Sequence, residues 1–114
     1  MQRIGIIGLG LIGGSLAEAL HQRTPTLELV GIDTHPETLS QARDAKVFAV
    51  VSDDLADTAG CDLIVVCVPL PALKPVFEAI AKATTPNTWV IDVIGLKEPV
   101  IKLAQETLPD HIFV

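Results

Sequence analysis

Four glycines fall within seven residues near the start of this chain, Gly8-Leu9-Gly10-Leu11-Ile12-Gly13-Gly14. They separate the short apolar run Arg3–Ile7 from residues 11–22, where Ile12, Leu16, Ala19 and Leu20 share one helical face. A G-x-G-x-x-G pattern between a strand and a helix restricts the fold more than glycine content alone does. Gly8 makes the tight turn, Gly10 lets backbone approach a pyrophosphate, and Gly13 lets the helix pack close to the sheet. The N–H groups of Leu11 and Ile12, at the helix N-terminus, are then expected to face phosphates. Glycine inside a helix costs about 1 kcal/mol relative to alanine, so Gly13 and Gly14 together need a reason. No G-K-[ST] follows, which excludes a phosphate P-loop.

The rest of the chain keeps the same alternation. Residues 27–33 (LELVGID) read as a second strand. Thr34-His35-Pro36-Glu37 reads as a capping box with proline in the first turn, opening a helix over 35–44. Residues 47–51 are a β-branched run and predict a short third strand, after which Ser52 caps a helical turn over 53–58. The continuous hydrophobicity of 62–68 (DLIVVCV) suits a strand buried on both faces of a parallel sheet. Leu73, Val76, Phe77 and Ile80 then mark a helix running to about residue 84, with Pro75 in its first turn. Residues 88–93 predict strand five, and 98–108 a helix with Val100, Ile101, Ala104 and Leu108 inward. Residues 111–114 predict a terminal strand. Strands and helices joined by short loops give a doubly wound parallel α/β sheet, the Rossmann dinucleotide-binding fold, with six strands in the order 3-2-1-4-5-6. Residues 1–114 form one domain, with neither repeats nor a linker.

Asp33 lies twenty residues past Gly13, at the end of the second strand. A carboxylate there accepts hydrogen bonds from the adenosine ribose and repels a 2′-phosphate. Thr34, His35 and Pro36 bring no adjacent Arg, so NAD is expected over NADP; Arg43, farther on, is the one argument for NADP. His35 is placed beside the adenosine. The ligand of such a sheet crosses the C-terminal strand ends at the switch between strands one and four. That brings in Cys67, Val68 and Pro69 after strand four, for apolar and backbone contact, and Asp92 and Val93 after strand five, near the nicotinamide. Lys97 is a weaker candidate for a substrate carboxylate. His21 and His111 have no evident partner.

Composition narrows the partners. A hydrophobic fraction of 49% with 19% charged residues is globular, and the formal net charge of −6 with scattered Lys and Arg excludes a nucleic-acid or anionic-membrane surface. No stretch approaches the ~18 apolar residues of a membrane span, and no signal peptide is evident. Cys61, read as a loop residue, and Cys67, read as a buried thiol, form neither a disulfide framework nor a metal motif; cytoplasmic residence is expected.

GIIGLGLIGGSLAEAL, Gly31-Ile32-Asp33, Asp62 to Leu70 (DLIVVCVPL) and Val90 to Val100 (VIDVIGLKEPV) together resemble the N-terminal domain of the prephenate and arogenate dehydrogenases. The doubled glycine with serine, G-x-G-x-x-G-G-S-L, is more specific than the bare fingerprint. The resemblance implies NAD(P)-dependent oxidative decarboxylation of prephenate or arogenate on the route to tyrosine. It implies a histidine that polarises the substrate hydroxyl, a serine in the strand-five loop that assists it, and a helical second domain supplying arginine and a dimer interface. Two departures stand out. Gly95 occupies the serine position, and the family's histidine follows the terminal strand in a G-G-H-P segment that does not occur within these 114 residues. No catalytic residue is therefore assigned. The expectation is a cofactor-binding domain, without the helical domain, inactive by itself and prone to weak dimerisation through apolar surface around residues 96–108 and 113–114. Two alternatives share its first domain: a free-standing NAD sensor or scaffold, and another nicotinamide enzyme such as a β-hydroxyacid dehydrogenase or a pyrroline-carboxylate reductase.

Overall fold

The computed structural model describes residues 2–93 and 97–113, the side chains of Lys97 and Glu98 excepted. Its strands are β1 (Arg3–Ile7), β2 (Glu28–Ile32), β3 (Val50–Ser52), β4 (Leu63–Val66), β5 (Trp89–Asp92) and β6 (Ile112–Phe113). The helices are α1 (Leu11–Arg23), α2 (Pro36–Ala45), α3 (Leu73–Ala83) and α4 (Lys97–Thr107), with short 3-10 turns over Leu55–Thr58 and Leu70–Ala72. All pairings are parallel and the sheet order is β3-β2-β1-β4-β5-β6, as the alternation of elements predicts. Among the described residues no helix is long and apolar enough to cross a membrane.

The central strands read as unbroken apolar runs because successive side chains enter two different cores. On one face, Ile7, Val30, Ile32, Ile64, Val66 and Val90 pack against α3 and α4 through Leu73, Val76, Phe77, Ile80, Val100 and Ala104. On the other, Ile4, Ile6, Leu29 and Val65 pack against Ala17 of α1 and Ala42 of α2. Phe113 closes the first core edge-on to Phe77, with ring centroids 5.5 Å apart.

Several local expectations are corrected. The buried stripe of α1 is Gly13 and Ala17, with Leu16 and Leu20 half-buried; Ile12 and Ala19 face solvent. The close approach allowed by Gly13 centres the contact on small side chains, rotating the expected face. β3 starts at Val50 because the ladder with β2 begins at Val30↔Val50. Val47 and Phe48 instead pack as loop residues on the α1–α2 side. The capping box at Thr34 does not form: His35 is the N-cap of α2 without a side-chain cap bond, although Pro36 does occupy the first turn. Asp54, not Ser52, caps the turn over Leu55–Thr58, its Oδ1 accepting from the Ala56 N–H at 2.9 Å. The Ser52 hydroxyl supports that turn by accepting from the Asp54 N–H and donating to Asp57. Ile101 is 44% exposed rather than inward. Cys61 is a loop residue as expected, yet buried, its sulfur within 3.3 Å of where a Gly5 Cβ would stand.

Candidate functional site: a cleft across the strand ends

The loops leaving the C-terminal strand ends are tied sideways to neighbouring strands. The Gly8 N–H donates to Ile32 O at 2.8 Å, Asp33 N–H to Ser52 O at 3.2 Å, Cys67 N–H to Ile7 O at 2.7 Å and Val93 N–H to Val66 O at 3.2 Å. Each ladder thus extends one residue beyond its strand, and the residues that follow start from fixed backbone.

Gly8 turns the chain with φ +94°, and a Cβ on it would stand 2.6 Å from the Cys67 carbonyl oxygen. Left-handed backbone and a crowded neighbour both require glycine there. Gly13 has a different constraint: its Cβ would lie 1.9 Å from Gly8 O, so α1 rests directly on the turn. Gly10, the N-cap of α1, has nothing within 4 Å of its would-be Cβ. It leaves open space above a helix N-terminus whose first N–H groups lack intrahelical partners, the arrangement that accommodates a phosphate. Gly14 meets only Leu9 O at 3.6 Å, so the constraint expected of both helix glycines falls on Gly13 alone.

Asp33 is held from two sides. Its Oδ2 accepts from the Leu9 N–H at 2.8 Å, and its Oδ1 accepts from the His35 N–H at 3.0 Å. A carboxylate oxygen accepts more than one hydrogen bond, so both oxygens keep capacity for a ligand hydroxyl. The clamp joins the glycine turn to the end of β2.

A cleft of about 610 Å³ opens beside these groups, walled by Ile7, Gly8, Gly10, Ile32, Asp33, Thr34, His35, Thr38, Asp53, Leu55, Cys67, Val68, Pro69, Ala72 and Val76. The structure thus brings together Gly8, Gly10, Asp33, Thr34, His35, Cys67, Val68 and Pro69, as the strand-end rule predicts. Leu9 contributes its N–H to Asp33, while its side chain is buried under the sheet. Leu11, 88% exposed, borders a separate groove between α1 and α2, and Ile12 is half-exposed on neither wall. Asp92 and Val93 stand at the end of β5, outside the cleft wall. Gly95 and the Lys97 side chain lie outside the described residues.

Ile7, Ile32, Thr38, Asp53, Leu55, Ala72 and Val76 also form the wall, although none of them is among the expected site residues. The omission of Asp53 follows from ending β3 at Val51, since the residue just beyond a strand's true end is where this fold presents side chains to a ligand. Burial pushes the Cys67 thiol pKa up, and the nearby Asp92 carboxylate adds to it, so Cys67 serves as an apolar wall group. Burial lowers the pKa of His111, whose Nε2 lies 2.9 Å from Thr84 Oγ1 at the opposite end of the sheet. Among the described residues no group of three or more His, Cys, Asp or Glu could hold a metal.

A parallel sheet in this order, with a glycine turn after β1, an anchored carboxylate after β2 and a cleft at the β1/β4 switch, defines a dinucleotide-binding domain of the Rossmann type. Within that class the chain belongs to the prephenate dehydrogenase nucleotide-binding domain family, whose model matches residues 16–114. The match begins beyond the glycine turn, so the turn's geometry is independent support for the class. A cyclohexadienyl dehydrogenase of Zymomonas mobilis is 36% identical over 114 residues, covering 99% of this chain and 39% of the relative. A prephenate dehydrogenase of Bacillus subtilis is 31% identical over 112 residues, 93% of this chain and 29% of the relative. The crystal structure of Synechocystis arogenate dehydrogenase superposes with a TM-score of 0.88 at 28% identity, over 98% of this chain and 40% of that one. Prephenate dehydrogenase from A. aeolicus, solved with hydroxyphenyl propionate and NAD+, shares the fold with a TM-score of 0.86 at 22% identity, over 95% of this chain and 38% of that one. The chain therefore spans well under half the length of these relatives.

Proposed function

We propose that this chain binds NAD in preference to NADP, as the cofactor-holding part of an enzyme that oxidatively decarboxylates prephenate or arogenate on the route to tyrosine. The observation that carries the reading is the clamp joining Asp33 to the glycine turn. It sets a carboxylate where the adenosine ribose lies if the pyrophosphate sits over Gly10. Gly8 and Gly10 would hold the pyrophosphate, Asp33 the ribose hydroxyls, and Val68 and Pro69 the apolar side of the adenosine. The bound dinucleotide supplies a hydride acceptor. Among the described residues no Lys or Arg lines the cleft, whereas Asp33 and Asp53 both do, so a 2′-phosphate would meet negative charge without a cation.

The described histidines support a cofactor role without turnover by these 114 residues alone. His35 is on the adenosine side of the cleft, His21 is in the last turn of α1, and His111 precedes β6 at the far end of the sheet. Weak self-association is part of the proposal. The surface differs from the expected one: Val100, Ala104 and Leu108 are buried and Phe113 packs on Phe77, whereas Trp89 of β5 and Ile112 of the edge strand β6 stand opposite each other, 44% and 46% exposed.

Fluorescence titration of the protein with NADH and NADPH tests the cofactor assignment. Tighter binding of NADH by about tenfold or more is expected from losing or misplacing one charged contact. Equal affinities would contradict the role given to Asp33, and prephenate-dependent NADH formation by the 114-residue protein would contradict the absence of turnover.

A further inference from the structure

The cofactor assignment counts Asp53 only in the negative charge of the cleft and gives it no contact with the dinucleotide. Following the strand ends outward from β1, the chain presents Gly10 after β1, Asp33 after β2 and Asp53 directly after β3. If Gly10 faces the pyrophosphate and Asp33 the ribose, the next position along this line belongs to the base. Asp53 lines the cleft there with Leu55, and Val68 and Pro69 come from the β4 side. The cleft is mainly apolar, and Asp33 and Asp53 are its two carboxylates.

The loop's other carboxylates are committed to its own structure. Asp54 caps the turn over Leu55–Thr58, and Asp57 takes the Ser52 hydroxyl at 2.5 Å. Asp53 makes no hydrogen bond or ion pair among the described residues. Its backbone position is nevertheless well defined. Ser52 pairs with Ile32 in the β2–β3 register, and Ser52 O accepts the Asp33 N–H, so the two carboxylates leave adjacent strands from hydrogen-bonded backbone.

A carboxylate only accepts hydrogen bonds. The edges of adenine offer ring nitrogens, which are acceptors, and one exocyclic 6-amino group, which is a donor. We propose that Asp53 reads the base of the bound dinucleotide, its carboxylate accepting a hydrogen bond from the 6-amino group of adenine, so that the cleft selects adenine over 6-oxopurine dinucleotides. The inference rests on the NAD assignment above. A 6-oxopurine places a carbonyl oxygen at that position, where two acceptors would face each other. Because Asp53 is exposed, the free protein keeps it hydrated, and the discrimination is moderate.

The experiment compares NADH with its hypoxanthine analogue, reduced nicotinamide hypoxanthine dinucleotide, which differs at the 6-position of the base. Both are titrated into the wild-type protein and into Asp53→Ala and Asp53→Asn variants, with circular dichroism confirming unchanged folding. Wild type is expected to prefer NADH by about five- to tenfold, the scale of one solvent-exposed hydrogen bond to a charged group. Asp53→Ala should lose that preference by weakening NADH while leaving the analogue within about twofold. Asp53→Asn, whose amide can present either oxygen or NH2, should bind both dinucleotides about equally. Equal binding of the two by wild type, or a preference that survives in Asp53→Ala, overturns the role of Asp53 while leaving the NAD assignment standing. Failure of wild type to bind NADH at all would overturn that assignment, and this one with it.

Discussion

Replacing Gly13, Gly10 and Gly14 one at a time by alanine should separate the roles of these three neighbouring glycines. At Gly13 the new methyl would stand 1.9 Å from Gly8 O, and relief to 3.0 Å requires a displacement of about 1 Å. The Gly8 side cannot supply it. Gly8 N–H is bonded to Ile32 O, and its own backbone is packed on Cys67. The movement therefore falls on α1, whose buried contact is Ala17, fully enclosed against the sheet. Overpacking of this kind costs about 1–3 kcal/mol and occasionally more, against about 1 kcal/mol gained by alanine's helix propensity. Backbone rather than a flexible side chain receives the clash, so the upper part of that range applies, with a net loss of about 2 kcal/mol. For a domain of this size the melting temperature should fall by roughly 8–12 °C. Gly10→Ala meets nothing within 4 Å and should lose no more than about 1 kcal/mol as a poorer N-cap, while its methyl enters the space assigned to the pyrophosphate. NADH binding should then fall by about tenfold or more at nearly unchanged stability. Gly14→Ala, with only a 3.6 Å contact, should gain up to about 1 kcal/mol. Thermal melts followed by circular dichroism, paired with NADH titrations, read all three. A Gly13→Ala protein that melts within about two degrees of wild type would refute the packing argument. A Gly10→Ala protein that binds NADH normally would refute the placement of the pyrophosphate over Gly10.

Stability should also depend on pH through His111. Burial lowers its folded pKa below the ordinary 6.5, an effect that the Asp110 charge only partly offsets. The unfolded chain then takes up the proton first, so stability is full above pH 6.5, declines as pH falls towards the folded pKa and levels off below it. Urea midpoints measured at about pH 7.5 and 5.5 should differ less for His111→Gln than for wild type; equal differences would count against a buried neutral ring. Sedimentation velocity should show weak, concentration-dependent association that Trp89→Lys abolishes, and a wild-type monomer at every concentration would contradict association through that face.

The sequence by itself determined the architecture, because binary pattern and turn chemistry are local properties. The apolar run of β4 could only belong to a strand covered on both faces, and the glycine turn between β1 and α1 placed a ligand at the strand ends. Asp33 was legible for the same reason: its distance from the turn is fixed by one helix and one strand of ordinary length. What required the tertiary structure was anything set by contact between elements distant in sequence. Which helix glycine is obligatory depends on the Gly8 carbonyl, which faces Gly13 and not Gly14. The face that α1 buries depends on how closely Gly13 lets it approach the sheet. Asp33's partners are the N–H groups of Leu9, 24 residues away, and His35, and no spacing rule names the first of them. Asp53 reached the cleft wall only once the register Ile32↔Ser52 fixed the end of β3. Local pattern specifies which elements exist, whereas register and close packing specify which side chains meet, because those depend on three-dimensional fit between surfaces that are far apart along the chain.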